Sequence, residues 1–164
     1  MRIESKPASE SRTTMTQLIF PGDTNMHGTM FGGKVMEYMD KTAAIAGMRH
    51  SGMLVVTAST DSLDFVGPIR VGDIIEVVAY VTWTHNSSME VFVKVQSEQI
   101  GTGEKTTAVT AFFSFVGLNE EGKPTRVPKV IPQTDEEVRL HASAPARYEL
   151  RMKRKQERAE NRGS

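Results

Sequence analysis

A chain of 164 residues, 38% hydrophobic and 24% charged, is long enough to bury one ordinary core without disulfides or a structural metal, and too short to add a second catalytic domain. Its 20 Lys and Arg balance 20 Asp and Glu, so whole-chain charge gives no reason to expect nucleic-acid binding, and any anion site must be local. The absence of Cys excludes a disulfide framework, a thiolate nucleophile and a Cys-ligated zinc.

Residues 1–12 are rich in Ser, Glu, Lys and Arg, with no hydrophobic periodicity, and read as a mobile arm. The start of the chain lacks the apolar run of a signal peptide, and no stretch approaches the roughly 20 apolar residues of a membrane span. A soluble, cytoplasmic protein is therefore expected. Residues 13–20 form a first strand, stopped by the turn cluster Pro21-Gly22-Asp23. After a loop over 25–33, Val35, Met36, Met39, Ala43, Ala44, Ala46 and Gly47 recur at helical spacing and predict one long, mostly buried helix that ends at Ser51-Gly52. Its small residues permit close packing.

Four strands follow, at about 54–66, 74–85, 89–100 and 105–118, separated by turn-forming clusters at 67–73, 86–88 and 101–103. The expected topology is a strand, a long helix, then four strands in a meander. This is an α+β fold whose five-stranded antiparallel sheet needs the helix across its concave face and a partner sheet or subunit elsewhere. Gly122, Pro124, Pro128 and Pro132 make 119–133 an extended connection. Thr134 followed by Asp135, Glu136 and Glu137 then signals a helix start, a hydroxyl cap with acids in the first turn. Pro145 is expected to divide this helix, whose end, from Arg147 to Arg158, is basic. The expected organisation is an arm at 1–12, one domain at 13–132 and a helical, basic extension at 133–164.

The most informative stretch is Asn25-Met26-His27-Gly28-Thr29-Met30-Phe31-Gly32-Gly33, which leads into the helix carrying Asp40. Adjacent glycines at a loop-to-helix junction let backbone N–H groups approach a ligand, and the helix start adds partial positive charge suited to a developing oxyanion. A plain tight turn would use the same pair. Asp40 lies about two turns into an otherwise apolar face, where a carboxylate is a candidate general base. The competing reading is a solvated side chain, or one paired with Lys34, Lys41 or Arg49.

The order Asn-x-x-Gly-x-x-x-Gly-Gly-x-x-x-x-x-x-Asp resembles the signature of hotdog-fold acyl-coenzyme A thioesterases. Val55-Val56-Thr57-Ala58-Ser59, Asp64-Phe65, Val71-Gly72-Asp73, Ser88-Met89-Glu90-Val91 and Ala111-Phe112-Phe113-Ser114-Phe115-Val116 are similar to that family in order and spacing. The likeness covers about 13–132, and Ala146-Arg147-Tyr148 with its basic helix is similar to tails of the cytosolic acyl-coenzyme A hydrolase branch. The resemblance implies a hotdog fold and hydrolysis of acyl-coenzyme A. It implies Asp40 as the catalytic acid, Asn25 as its assistant and the amide of Gly32, with Gly33 second, as the group polarising the thioester carbonyl. Many relatives carry His immediately before the glycines, where this chain has Phe31.

At about 1.5 Å per residue, the eight steps from Gly32 to Asp40 separate their backbones by roughly 12 Å along one helix, too far for both to serve one carbonyl. If they act on one thioester, Asp40 of one chain faces Gly32 and Asn25 of another, at a two-fold interface with two sites per dimer. Asp40 would take a proton from water, or attack directly to form an anhydride, while the Gly32 N–H stabilises the tetrahedral oxyanion. Relatives of the family are often trimers of dimers, which implies a hexamer.

No P-loop is present for the coenzyme A phosphates. The loop His85-Asn86-Ser87-Ser88, whose counterpart in the family lies by the nucleotide, offers hydroxyl and amide donors, and Arg49, His50 and the terminal Arg/Lys cluster are candidate phosphate partners. Each could equally be a hairpin turn or solvated helix surface. The acyl chain is expected beside Met36, Met39 and Phe65, residues that would otherwise simply pack a core. His27, His50, His85 and His141 are too dispersed for a zinc site, and no Gly-x-Ser-x-Gly is present. No cofactor is expected beyond the coenzyme A thioester that is the substrate. The alternatives are a hotdog dehydratase on acyl thioesters, which would want a His where Phe31 stands, and a non-catalytic acyl-coenzyme A sensor. Nucleic-acid binding by the basic tail lacks neighbouring aromatics to support it.

Overall fold

The computed structural model describes residues 4–163. Seven strands and two α-helices follow in order: β1 (Ser5–Pro7), β2 (Thr13–Leu18), α1 (Gly32–Ser51), β3 (Leu54–Phe65), β4 (Ile74–His85), β5 (Ser88–Glu98), β6 (Lys105–Leu118), β7 (Lys129–Ile131) and α2 (Asp135–Arg162). Five strands form one antiparallel sheet in the order β2-β4-β5-β6-β3, and β1 and β7 form a small parallel pair. The α+β layout expected from the sequence, a long helix wrapped by a five-stranded antiparallel sheet with a second helix after it, is the one observed.

The expected four-strand meander is corrected. Only β4, β5 and β6 meander, while β3 lies at the far edge against β6. Helix α1, 20 residues and so about 30 Å long, carries the chain from the β2 edge to the opposite one. The segment after β3 must then return across the sheet. It does so tied to the loop after β2: Met30 N–H donates to Ile69 O (2.7 Å), Ile19 N–H to Asp73 O (3.0 Å) and Gly72 N–H to Ile19 O (2.9 Å). Gly67, Pro68 and Gly72 signal a break in pairing, and their composition does not separate a hairpin from a crossing.

Gly52, at φ 69°, closes α1 in the left-handed conformation that Gly adopts without strain, and its N–H donates to Met48 O. The face of α1 toward the sheet is built from Val35, Met39, Ala43, Ala46 and Gly47, all buried. A Cβ added at Gly47 would lie 3.6 Å from Met89 and 3.7 Å from Val55, so the helix backbone comes close to the sheet. Val77, Ala79, Val91, Val93, Ala111, Phe113 and Phe115 complete this core.

Met89 therefore points at α1, and its neighbour Glu90 points the other way, to Arg147 of α2. Successive side chains of a strand face opposite sides, so the two helices cover opposite faces of the sheet. The Thr134–Glu137 start of α2 is a capping box as the sequence indicates: Glu137 N–H donates to Thr134 Oγ1 (3.1 Å) and Thr134 N–H to Glu137 Oε2 (3.0 Å).

Two further expectations meet a different structure. Pro145 does not divide α2, which runs from Asp135 through Arg162. Proline removes only the one backbone donor that would bond the carbonyl of His141, and the helix continues through it, with Arg147 Nη2 donating to the neighbouring Leu140 O (2.6 Å) and Ser143 Oγ to Arg139 O (3.1 Å). Met1 to Ile3 of the expected arm lie outside the described residues. The remainder of that stretch carries regular structure: β1 pairs with β7, Ala8 is buried, and Ser11 Oγ accepts from Val81 N–H (2.9 Å). The β7 partner is separated from it by more than a hundred residues, so local periodicity carries no sign of it.

Candidate active site

The loop before α1 is organised by Asn25. Its Oδ1 accepts from the N–H groups of His27 (2.9 Å) and Thr29 (3.3 Å), its Nδ2 donates to Thr29 Oγ1 (2.9 Å), and its N–H donates to Thr29 O (2.8 Å). Gly28 sits at φ 74° inside the loop. An amide nitrogen carries two hydrogens, so the bond to Thr29 leaves one Nδ2 hydrogen for another acceptor.

The loop ends at Phe31, the residue before the helix, which offers no side-chain cap. Gly32 and Gly33 occupy the first helical positions, where backbone N–H groups have no acceptor within the helix. A Cβ at Gly32 would stand 3.3 Å from Cζ of Phe65, whereas nothing lies within 4 Å of one at Gly33. Glycine at 32 thus admits the Phe65 ring against the helix start, beside two N–H groups that the helix itself does not satisfy.

Asp40 lies two turns along the same helix, half-buried, and accepts from Thr57 Oγ1 at 2.8 Å. None of the cations weighed as its partner reaches it. Lys34 (3.6 Å) and Lys41 (2.9 Å) pair with Glu37, and Arg49 donates to Arg12 O and Thr13 Oγ1. The carboxylate is held by one hydroxyl at the edge strand β3, an arrangement that orients it and leaves its second oxygen available. Thr57 was not singled out by the sequence reading as a site residue. Its signal was only a Thr in a strand beside the helix that bears the acid.

Of the three expected acyl-pocket residues, Phe65 and Met36 are exposed, and Met39 is fully buried in the core. No group of three or more His, Asp or Glu side chains arranged to hold a metal occurs among the described residues.

The structure brings the 85–88 loop together with the basic helix. A cavity of about 690 Å³ is lined by His85, Asn86, Ser87 and Ser88 together with Arg151, Arg154, Lys155, Arg158 and Arg162 of α2 and with Ala58, Ser59 and Thr60 of β3. No Asp or Glu among the described residues lines it. The loop is a tight turn with Asn86 at φ 51°, and it is braced by Gly117 N–H to Ser87 O and Val127 N–H to Asn86 O, both 2.9 Å. Thr57 immediately precedes the β3 wall of this cavity, so the acid's hydroxyl partner and the basic site share one strand.

Arg49 and His50 are committed elsewhere. Arg49 holds the N-terminal strand, and His50, 0% exposed, has Nε2 2.8 Å from Pro128 O with Nδ1 unpartnered. Burial lowers the His50 pKa below its ordinary 6.5, opposed by the bond to Pro128, so this side chain brings no charge to a phosphate.

Comparison with known proteins fits this geometry. The thioesterase superfamily model matches residues 27–104. An uncharacterised acyl-CoA thioester hydrolase of Bacillus subtilis is 48% identical over 152 residues, 93% of this chain and 88% of the relative. The cytosolic acyl coenzyme A thioester hydrolase of Rattus norvegicus is 36% identical over 94% of this chain, which spans only 41% of that longer relative. Among solved structures, a hexameric acyl-CoA thioesterase superposes with a TM-score of 0.90 at 50% identity, covering 93% of this chain and 97% of that one. An acyl-CoA hydrolase of Staphylococcus aureus, in complex with butyryl coenzyme A, coenzyme A and coenzyme A disulfide, superposes with a TM-score of 0.92 at 43% identity over 96% of both chains. Structures of the Staphylococcus aureus protein include variants with one Asp, one Thr or one Asn changed to Ala.

Proposed function

The chain belongs to the thioesterase superfamily, with the hotdog fold of its acyl-CoA thioester hydrolases, and from that premise we propose that it hydrolyses acyl-coenzyme A to free acid and coenzyme A with Asp40 as general base. The observation that carries this is the carboxylate of Asp40, paired with no cation among the described residues and held by Thr57 Oγ1 at 2.8 Å on the helix whose first N–H groups find no acceptor within it. The residues changed in the Staphylococcus aureus variants are spaced along that chain as Asn25, Asp40 and Thr57 are spaced here.

Asp40 takes a proton from water as the water attacks the thioester carbon. The N–H of Gly32, with that of Gly33 beside it, stabilises the oxyanion, and the remaining Nδ2 hydrogen of Asn25 holds the carbonyl or the water. Collapse of the tetrahedral intermediate expels coenzyme A thiolate, a good leaving group. Gly32 and Asp40 lie roughly 12 Å apart on one helix, so the site takes Asp40 from one subunit and Gly32 with Asn25 from another. Edge strand β3, with Leu54 73% exposed and paired on one side only, supports such a dimer. A trimer of these dimers is the assembly this reading favours, since a similar structure is hexameric.

Coenzyme A lays its nucleotide in the cavity, its phosphates toward α2 and the 85–88 turn, and the acyl chain passes Phe65 and Met36. A cytoplasmic location accompanies the reading, in line with the cytosolic rat relative; no helix among the described residues is long and apolar enough to cross a membrane.

Thiol release from a panel of acyl-coenzyme A thioesters tests the function. Asp40→Ala should lose about 10²- to 10⁴-fold in kcat, the usual contribution of a general base. Wild-type inactivity at every chain length would reject the hydrolase in favour of an acyl-coenzyme A sensor. Mixed dimers of Asp40→Ala with Asn25→Ala chains should recover activity, because one of their two sites carries neither change, and no recovery in verified mixed dimers refutes the shared site.

A further inference from the structure

The face of the sheet under α2 holds two carboxylates that hydrolysis does not use. Glu90 of β5 is 2% exposed and Asp61 of β3 is 7% exposed. Helix α2 answers them with three arginines. Arg147 grips both oxygens of Glu90 (Nε to Oε2 3.0 Å, Nη2 to Oε1 2.8 Å), and Arg151 Nη1 bridges Glu90 Oε2 and Asp61 Oδ2 at 3.0 Å each. Arg154 Nη2, half-exposed at the cavity rim, reaches Asp61 Oδ2 at 3.3 Å. Thr82 Oγ1 adds a 2.7 Å bond to Glu90 Oε1.

Apolar residues of similar size would hold a helix on a sheet at least as firmly as buried ion pairs, which must offset their own desolvation. What charged hydrogen bonds add is direction: a planar guanidinium forked on one carboxylate fixes both the rotation and the slide of the helix that bears it. Residues 147, 151, 154 and 158 recur at spacings of four, three and four, so they lie along one stripe of α2. The stripe begins bonded to carboxylates and continues as the cations that line the cavity. Three arginines against two acids leave one positive charge over, and the least saturated of the three is Arg154, at the cavity. Tyr148 sets the same stretch of helix against the turn, its ring 4.5 Å from His85 and 5.3 Å from Trp83.

We propose that Glu90 and Asp61 are positioning residues that aim the basic stripe of α2 over the 85–88 turn, making α2 the element that recognises the nucleotide half of the substrate and so selects nucleotide-bearing thioesters over acyl-pantetheine. The inference rests on the acyl-coenzyme A reading above. Neither carboxylate touches substrate. Each acts through the arginines it holds.

The test compares acyl-coenzyme A with the acyl-pantetheine of the same acyl group, which carries the same thioester without the nucleotide, on wild type, Glu90→Gln and Asp61→Asn. For both variants KM for acyl-coenzyme A should rise about tenfold, the loss of one well-made charged hydrogen bond at the phosphates, with kcat within about twofold. Both constants for acyl-pantetheine should stay at wild-type values. Equal losses on the two substrates would mean that the carboxylates only stabilise the fold and would overturn the proposal, as would an unchanged KM for acyl-coenzyme A.

Asp61→Asn leaves the Arg147–Glu90 fork intact and serves if Glu90→Gln does not fold. Titration of each protein with coenzyme A separates the two readings. A wild type that binds coenzyme A more tightly than Glu90→Gln or Asp61→Asn but hydrolyses nothing keeps this proposal and defeats the hydrolase. A wild type that does not bind coenzyme A defeats this proposal.

Discussion

Helix α1 meets the sheet through Ala43, Ala46 and Gly47, side chains so small that Met89 and Val55 of the sheet come up to the helix backbone, whereas α2 meets the other face of the same sheet through Arg147 and Arg151 closing on Glu90 and Asp61. The first contact is undirected: any apolar surface of the right shape satisfies it, and its strength follows area. The second is directed, and a small rotation of α2 breaks it. On the proposed reading, the difference follows use. Helix α1 carries Asp40 and the Gly32 N–H in its own backbone frame, so it needs only a rigid seat. Helix α2 presents flexible cations, which need an imposed aim.

The comparison breaks most severely at Glu90. Glu90→Ala strands Arg147 and Arg151 without one of their acceptors and should cost ~3–5 kcal/mol in urea unfolding. Replacing Glu90 and Arg147 together by Leu should return much of that loss, because an apolar pair needs no compensation for desolvation. A double variant no more stable than the single one would show that shape rather than charge holds α2.

On the α1 side the sensitivity is steric. Ala46→Leu forces a larger side chain into a fully buried contact and should cost about 1–3 kcal/mol. Gly47→Ala, whose added carbon would meet Met89 at an ordinary 3.6 Å, should be neutral or gain up to ~1 kcal/mol from helix propensity. A loss from Gly47→Ala as large as that from Ala46→Leu would contradict this spacing.

The smallest effect belongs to His50, a fully buried polar side chain in the last turn of α1. Burial depresses its pKa in the folded chain, so the unfolded chain takes up the proton first. Stability should be complete above pH 6.5, fall as pH drops through 6.5 toward the lower folded value, and level off below it. His50→Gln should flatten that part of the profile in urea midpoints measured across the range.

The sequence alone gave β4 and β6 with both ends correct and placed α1 by the spacing of its small residues, because one buried face imposes a visible period. Asp40 stands out as a candidate for the same reason: an acid interrupts an apolar stripe. The sheet order was not, since Gly67 through Asp73 mark a break without saying where the chain goes next. Glu90 was hidden by alternation itself. With Ser88, Phe92 and Lys94 it sits on what reads as the solvated side of a half-buried strand, and only a helix arriving from Arg147 onward buries it. Thr57 was a β-strand residue like its neighbours until the fold set it beside Asp40. Arg49 and His50, basic and near the candidate site in sequence, point away from the cavity because the last turn of α1 abuts the N-terminal strand and Pro128.

The acid-free cavity wall has a consequence at a distance. A chain with no net charge that sets Arg151, Arg154, Lys155, Arg158 and Arg162 along one cavity, where Asp61 and Glu90 offset only part of their charge, holds a local positive excess balanced elsewhere in the sequence. On the proposed reading, coenzyme A should be drawn toward that cavity before any contact forms. That reach shrinks to about 10 Å at 0.1 M salt, so ionic strength slows arrival at the site separately from loosening the hold once the ligand is seated.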